Sequence, residues 1–152
     1  MIQLFTELQE KKNVRSNLSA LRASLKEATE EQKAQAIEFV RGHEDLVFGF
    51  LQEEDAKTRK NAALLLGDLA VQNELQPLWK AYTREQTLFV KSAYLEAMKA
   101  LHAEEILSQL KDRFAELEGE PVTEENRKHW EAELRALRAI LIQYEGIDTH
   151  HF

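Results

Sequence analysis

Asp55-Ala56-Lys57-Thr58-Arg59-Lys60-Asn61-Ala62-Ala63-Leu64-Leu65-Leu66-Gly67-Asp68-Leu69 is the stretch whose pattern decides the fold. Asp55 is a residue type that accepts a backbone N–H bond at a helix start. Ala62, Leu65, Leu66 and Leu69 then recur three and four residues apart, one face of an α-helix. The spacing predicts a helix over 56–70 that must bury this stripe against neighbours.

The same periodicity runs through most of the chain, and strand-like alternation is absent. Val14, Leu18, Leu21 and Leu25 form one stripe. A second helix is predicted near 30–41, opened by the capping-box pair Thr29 and Gln32 and closed by Gly42 as a left-handed C-cap. Further helices are predicted at 44–52, 74–84, 87–101 and 103–118. Pro77 is compatible with the first turn of its helix, where a missing N–H leaves no bond unmade. After the Gly119-Pro121 loop, Thr123 is expected to cap a last helix through Trp130, Leu134, Leu137 and Leu141 to Tyr144, stopped by Gly146.

These helices come in pairs that repeat. Leu46, Leu78 and Leu110 lie 32 residues apart, and Phe50, Tyr82 and Phe114 keep that interval in the first helix of each pair. In the second helices Arg59 matches Lys91, and Ala62, Leu65, Leu66 and Leu69 match Tyr94, Ala97, Met98 and Leu101. Arg127, Trp130, Leu134 and Leu137 continue the pattern at an offset of 36, the loop at Gly119 and Pro121 absorbing the difference. One helix pair cannot bury its apolar faces alone, whereas stacked pairs share a continuous core. The expected organisation is one domain over 1–145, with an N-terminal cap at 1–42, repeats at 43–145, and a tail or linker at 146–152. Arg15, Leu18, Leu21 and Leu25 fit the second-helix template, but the following helix arrives too early for the interval.

The stretch from Asp55 to Leu69 resembles the second helix of a HEAT repeat, in which an Asp and an Arg precede small residues, Leu-Gly and Leu. The resemblance spans about 44–144 and weakens where Lys91 and Lys99 replace the Arg and the Gly. It implies an all-α, right-handed α-α superhelix (a HEAT-like, armadillo-type solenoid) of about three helix pairs plus the N-terminal cap. It also implies an inter-repeat ladder containing Asp55 and Arg59, although no Asp precedes Lys91 at the corresponding place. Asn13-Val14-Arg15-Ser16-Asn17-Leu18-Ser19-Ala20-Leu21, the HEAT-like middle and the ending from Tyr144 to Phe152 resemble the N-terminal helical region of some bacterial RNA methyltransferases. That second resemblance implies an accessory RNA- or substrate-binding region whose S-adenosylmethionine-dependent catalytic domain is absent from this chain.

Composition narrows the function classes. The 152 residues are 43% hydrophobic and 31% charged, with only five Gly and two Pro, a mixture that favours helix. Without Cys there is no disulfide framework, thiolate metal site or Cys nucleophile. The formal net charge of -7 gives no global attraction to nucleic acid or acidic lipid. No apolar run approaches the ~20 residues that span a bilayer. A cytoplasmic protein without membrane contact is expected.

No phosphate-binding loop, dinucleotide glycine pattern, nucleophile elbow or zinc-protease motif occurs. His43, His102 and His129 stand alone near helix boundaries or on polar faces, and His150 and His151 fall in the tail. The runs Glu30-Glu31, Glu53-Glu54-Asp55, Glu104-Glu105 and Glu124-Glu125 sit at helix starts, where negative charge complements the helix dipole. No enzyme activity, cofactor or metal is therefore expected.

Lys57, Lys60, Lys91, Arg127 and Lys128 fall in the opening turns of successive second helices, where the dipole disfavours cations. They form either a carboxylate-paired, solvated ladder or a strip for binding anions, be it RNA phosphate or an acidic partner. Trp79, Tyr82, Tyr94, Phe114 and Trp130 have core spacing. Phe48 lies off the register, as a partner contact or a bridge to the cap. The expected function is a non-catalytic scaffold that contacts another protein or a covalently attached catalytic domain, with RNA as the alternative partner.

Overall fold

A computed structural model of the chain describes residues 1–70, 75–101 and 103–145. Within them the protein is all-helical, without a strand: α1 (Ile2–Gln9), α2 (Val14–Leu25), α3 (Glu30–Gly42), α4 (Glu44–Phe50), α5 (Ala56–Leu69), α6 (Leu75–Arg84), α7 (Leu88–Ala100), α8 (Leu107–Gly119) and α9 (Arg127–Glu145), with a 3-10 turn over Ala103–Ile106 before α8. The expected stop at Gly146, the tail and His102 lie outside the described residues.

Local side-chain bonds mark the starts of α3, α5 and α9. The Thr29 hydroxyl accepts the Gln32 N–H at 3.1 Å, and the Gln32 side chain accepts the Thr29 N–H at 3.0 Å, completing the capping box. Asp55 caps α5 by accepting the Thr58 N–H at 3.0 Å. Thr123 and Asn126 make a reciprocal pair one turn ahead of α9. Gly42, by contrast, closes no left-handed cap. Helix α3 runs through it and hands over to α4 at His43 (φ -137, ψ 41), which serves as both C-cap and N-cap. The His43 ring bonds the Phe39 carbonyl at 2.8 Å and stacks on the Phe39 ring. Among the described residues other than glycine, the left-handed ones are Ala70, after α5, and Lys11 and Asn13, where the chain bends between α1 and α2.

Helix α2 packs on α5, α5 on α7 and α7 on α9, while α1, α4, α6 and α8 pack on these partners in turn. Phe50, Tyr82 and Phe114, the aromatics sharing one register, are all buried, as are Leu78 and Leu110; Leu46 is half-buried. Their counterparts from Ala62 to Leu69 and from Tyr94 to Leu101 are buried too. Helix α2 thus continues the row from within the region expected to be a cap. Its Arg15 precedes Arg59 by 44 residues because α3, 13 residues long, is inserted before α4.

Gly67 shows why α5 and α7 can lie so close. A Cβ added there would stand 2.8 Å from the Ala97 Cα and 3.1 Å from its Cβ, so backbone would have to move. Gly49 in α4 has nothing within 4 Å of the same position. Alanine favours helix over glycine by about 1 kcal/mol at either site. Gly49→Ala should therefore stabilise the fold by up to about 1 kcal/mol, whereas Gly67→Ala should destabilise it by about 1–3 kcal/mol through overpacking. Urea unfolding of the two variants checks this, and equal stabilisation by both would rule out the close approach.

Candidate functional site

Charged side chains cross each seam between the stacked helices. At the first, Asp55 Oδ2 accepts from the Thr58 N–H and from the Thr58 hydroxyl at 2.7 Å, while Oδ1 lies 3.4 Å from the Arg15 guanidinium of α2. Arg22 adds a second α2–α5 pair, with Asp68 at 2.7 Å. At the next seam Arg59 of α5 grips Glu85 in a fork, Nε to Oε1 at 2.9 Å and Nη2 to Oε2 at 3.0 Å. Its remaining nitrogen donates to the Glu53 and Glu54 carbonyls at 2.7 and 2.8 Å. Glu85 Oε2 also accepts the Thr87 N–H at 3.0 Å, which ties down the start of α7. One carboxylate thus holds a helix start and the cation of the preceding helix, as Asp55 does one step earlier.

The third seam draws its carboxylate from inside α9. Glu133, 2% exposed, accepts the Tyr82 hydroxyl bond, lies 3.4 Å from Lys91 Nζ and receives the Arg113 guanidinium on both oxygens at 3.2–3.3 Å. Arg113 also reaches Glu116 and Glu120. The cluster joins α6, α7, α8 and α9 through one buried charge.

The electrostatics follow from these contacts. Burial disfavours charge on Glu133, but the Tyr82 hydroxyl, Arg113 and Lys91 outweigh it and hold its pKa below the ordinary carboxylate value. Glu85 is similar: burial raises its pKa, and Arg59 with the Thr87 N–H more than reverses that. Burial, reinforced by the Glu133 charge, pushes the Tyr82 hydroxyl well above its usual range, so it stays protonated as a donor. Groups that are paired and locked in one protonation state hold charge across a seam. Among the described residues no group of three or more His, Asp or Glu side chains is placed to hold a metal ion.

The expected strip is distributed unevenly. Lys57, Arg127 and Lys128 are exposed and Lys60 is half-buried, whereas Lys91 is turned to Glu133 with its side chain 13% exposed. Asp55 and Arg59, expected in one rung, stand in two: Asp55 accepts from Arg15, and Arg59 donates to Glu85. Glu85, Arg113 and Glu133 lie outside the site residues expected from sequence. A signal for Glu133 was present, since it falls on the buried stripe of Trp130, Leu134 and Leu137, where a carboxylate needs a partner. Glu85 was obscured because the register places Thr87, not an acid, opposite Asp55.

Arg59→Met leaves Glu85 buried without its cation and should cost about 3 kcal/mol of stability. Arg15→Met, at the solvent-exposed seam, should cost far less; equal losses in urea unfolding would contradict this ranking of the seams. Because folding depresses the pKa of Glu85 and Glu133, their contribution is complete above the ordinary value of 4.5 and is lost as pH falls through the depressed values. Stability measured from pH 5 to pH 3 should fall more steeply for the native sequence than for Glu133→Gln. No family model, curated protein or solved structure matches this chain, so its functional reading rests on the arrangement of these side chains.

Proposed function

We propose that the chain is a HEAT-like solenoid, a right-handed α-α superhelix of about three helix pairs with an N-terminal cap, acting as a non-catalytic scaffold for protein–protein contact in the cytoplasm. Its partner is a separate protein or a catalytic domain joined to it. The observation that carries this reading is the succession of seams, Arg15 to Asp55, Arg59 to Glu85 and Lys91 to Glu133, each linking one stacked helix to the next. Such pairing spends the interior charges on holding neighbours in register and leaves the outer side chains free to serve recognition. The alternative, an accessory RNA-binding region of a methyltransferase, draws on Lys57, Lys60, Arg127 and Lys128. It has thinner support, because Lys91 is engaged internally and the formal charge is -7.

Lys60, Ser92 and Lys128 occupy one register position on α5, α7 and α9, and Ser92 and Lys128 are exposed. A photo-crosslinking residue at each of these three positions, carried by the full chain in its native cell, should give discrete protein adducts. RNA adducts together with salt-sensitive RNA binding in titration would move the assignment to the alternative. No adduct of either kind from any of the three positions would overturn the scaffold reading.

A further inference from the structure

Helices α4 and α6 each pack on their inner partners, α5 and α7, and barely touch one another. Between them lies a groove of about 580 Å³, within the usual size of a ligand site. Phe48, Leu51, Pro77 and Ala81 supply its apolar surface. Phe48, off the repeat register, is half-buried here against the core.

The groove has walls of opposite charge. On one side Lys80 and Arg84, one turn apart on α6, are exposed and make no ion pair among the described residues. The cations at the helix seams behave differently, since Arg15, Arg22, Arg59, Lys91 and Arg113 all have carboxylate partners. On the other side stand Glu53 and Glu54, exposed, with their backbone carbonyls held by Arg59. The Arg59–Glu85 pair itself lines the groove, so the walls are set by the same bond that joins α5 to α7.

We propose that this groove docks an amphipathic helix of a partner protein. The helix lays its apolar face on Phe48, Leu51, Pro77 and Ala81, directs carboxylates spaced by one turn to Lys80 and Arg84, and presents cations on its other edge to Glu53 and Glu54. Apolar anchors at i, i+3 or i+4, and i+7 suit such a groove. Opposite charge along the two edges selects this ligand, because a helix acidic on both edges meets the glutamates and one basic on both edges meets Lys80 and Arg84. A nucleic acid strand would set phosphates against Glu53 and Glu54. The proposal rests on the scaffold reading and names the kind of partner.

Three fluorescein-labelled helical peptides with the same leucine face test it on the full chain by fluorescence anisotropy: one with a Glu edge and a Lys edge, one with Glu on both edges, and one with Lys on both. The mixed peptide should bind at least about tenfold tighter than either other. The double variant Lys80→Glu, Arg84→Glu changes only exposed positions and should keep its helical circular dichroism. It should lose that preference and favour the all-Lys peptide. Equal binding of the three peptides, no binding up to about 1 mM, or a mixed-peptide affinity unchanged in the double variant would each overturn the proposal. Protein adducts from positions 60, 92 and 128 in the face of such a result would leave the scaffold reading intact, so the two fail separately.

Discussion

The bond on which most of the structure depends is the fork between Arg59 and Glu85. A buried carboxylate without a cation is costly, and a buried guanidinium without acceptors equally so; here each cancels the other's penalty. All three Arg59 nitrogens are used, two on Glu85 and one on the Glu53 and Glu54 carbonyls. Helix α5, the turn before it and the start of α7 are therefore tied to one guanidinium. The close approach at Gly67 and Ala97 lies along the same pair of helices. Charge fixes one end of that seam, and the missing side chain lets the backbones meet along it.

Much of this was legible in the residue pattern. The stripe Ala62, Leu65, Leu66, Leu69 and its echo 32 residues later placed α5 and α7 correctly, because apolar burial obeys helical geometry wherever a helix has one covered side. Thr29 and Asp55 announced their caps, since those bonds are local. The residue pattern does not mark helix α1, and Gly42 lies inside α3 instead of in the left-handed cap expected of it. Glycine marks a helix end by permission rather than by demand, and His43, bonded back to the Phe39 carbonyl, makes the turn instead.

Long-range pairing was harder to see. Arg15 finds Asp55 across 40 residues and Lys91 finds Glu133 across 42, distances at which sequence spacing carries no geometric information. Helix position alone defines the basic strip, and it does not distinguish Lys91, which points into a seam, from Lys128, which faces water. Lys80 and Arg84 carry no sequence signal for the opposite reason. On a helix wheel they are ordinary solvent-facing cations, and only the placement of α4 sets an apolar groove beside them.

The three seams are unequal, and their order along the chain matters for synthesis. A ribosome releases the N-terminal helices first, and the first seam they can complete joins Arg15 to Asp55, whose side chains remain about half exposed. The tighter clasp on Arg59 waits for Glu85 to emerge, and the tightest, around Glu133, for the opening turns of α9. The helices that emerge ahead of Glu85 accordingly have only the more exposed first seam to close until the residues of the two tighter clasps follow them.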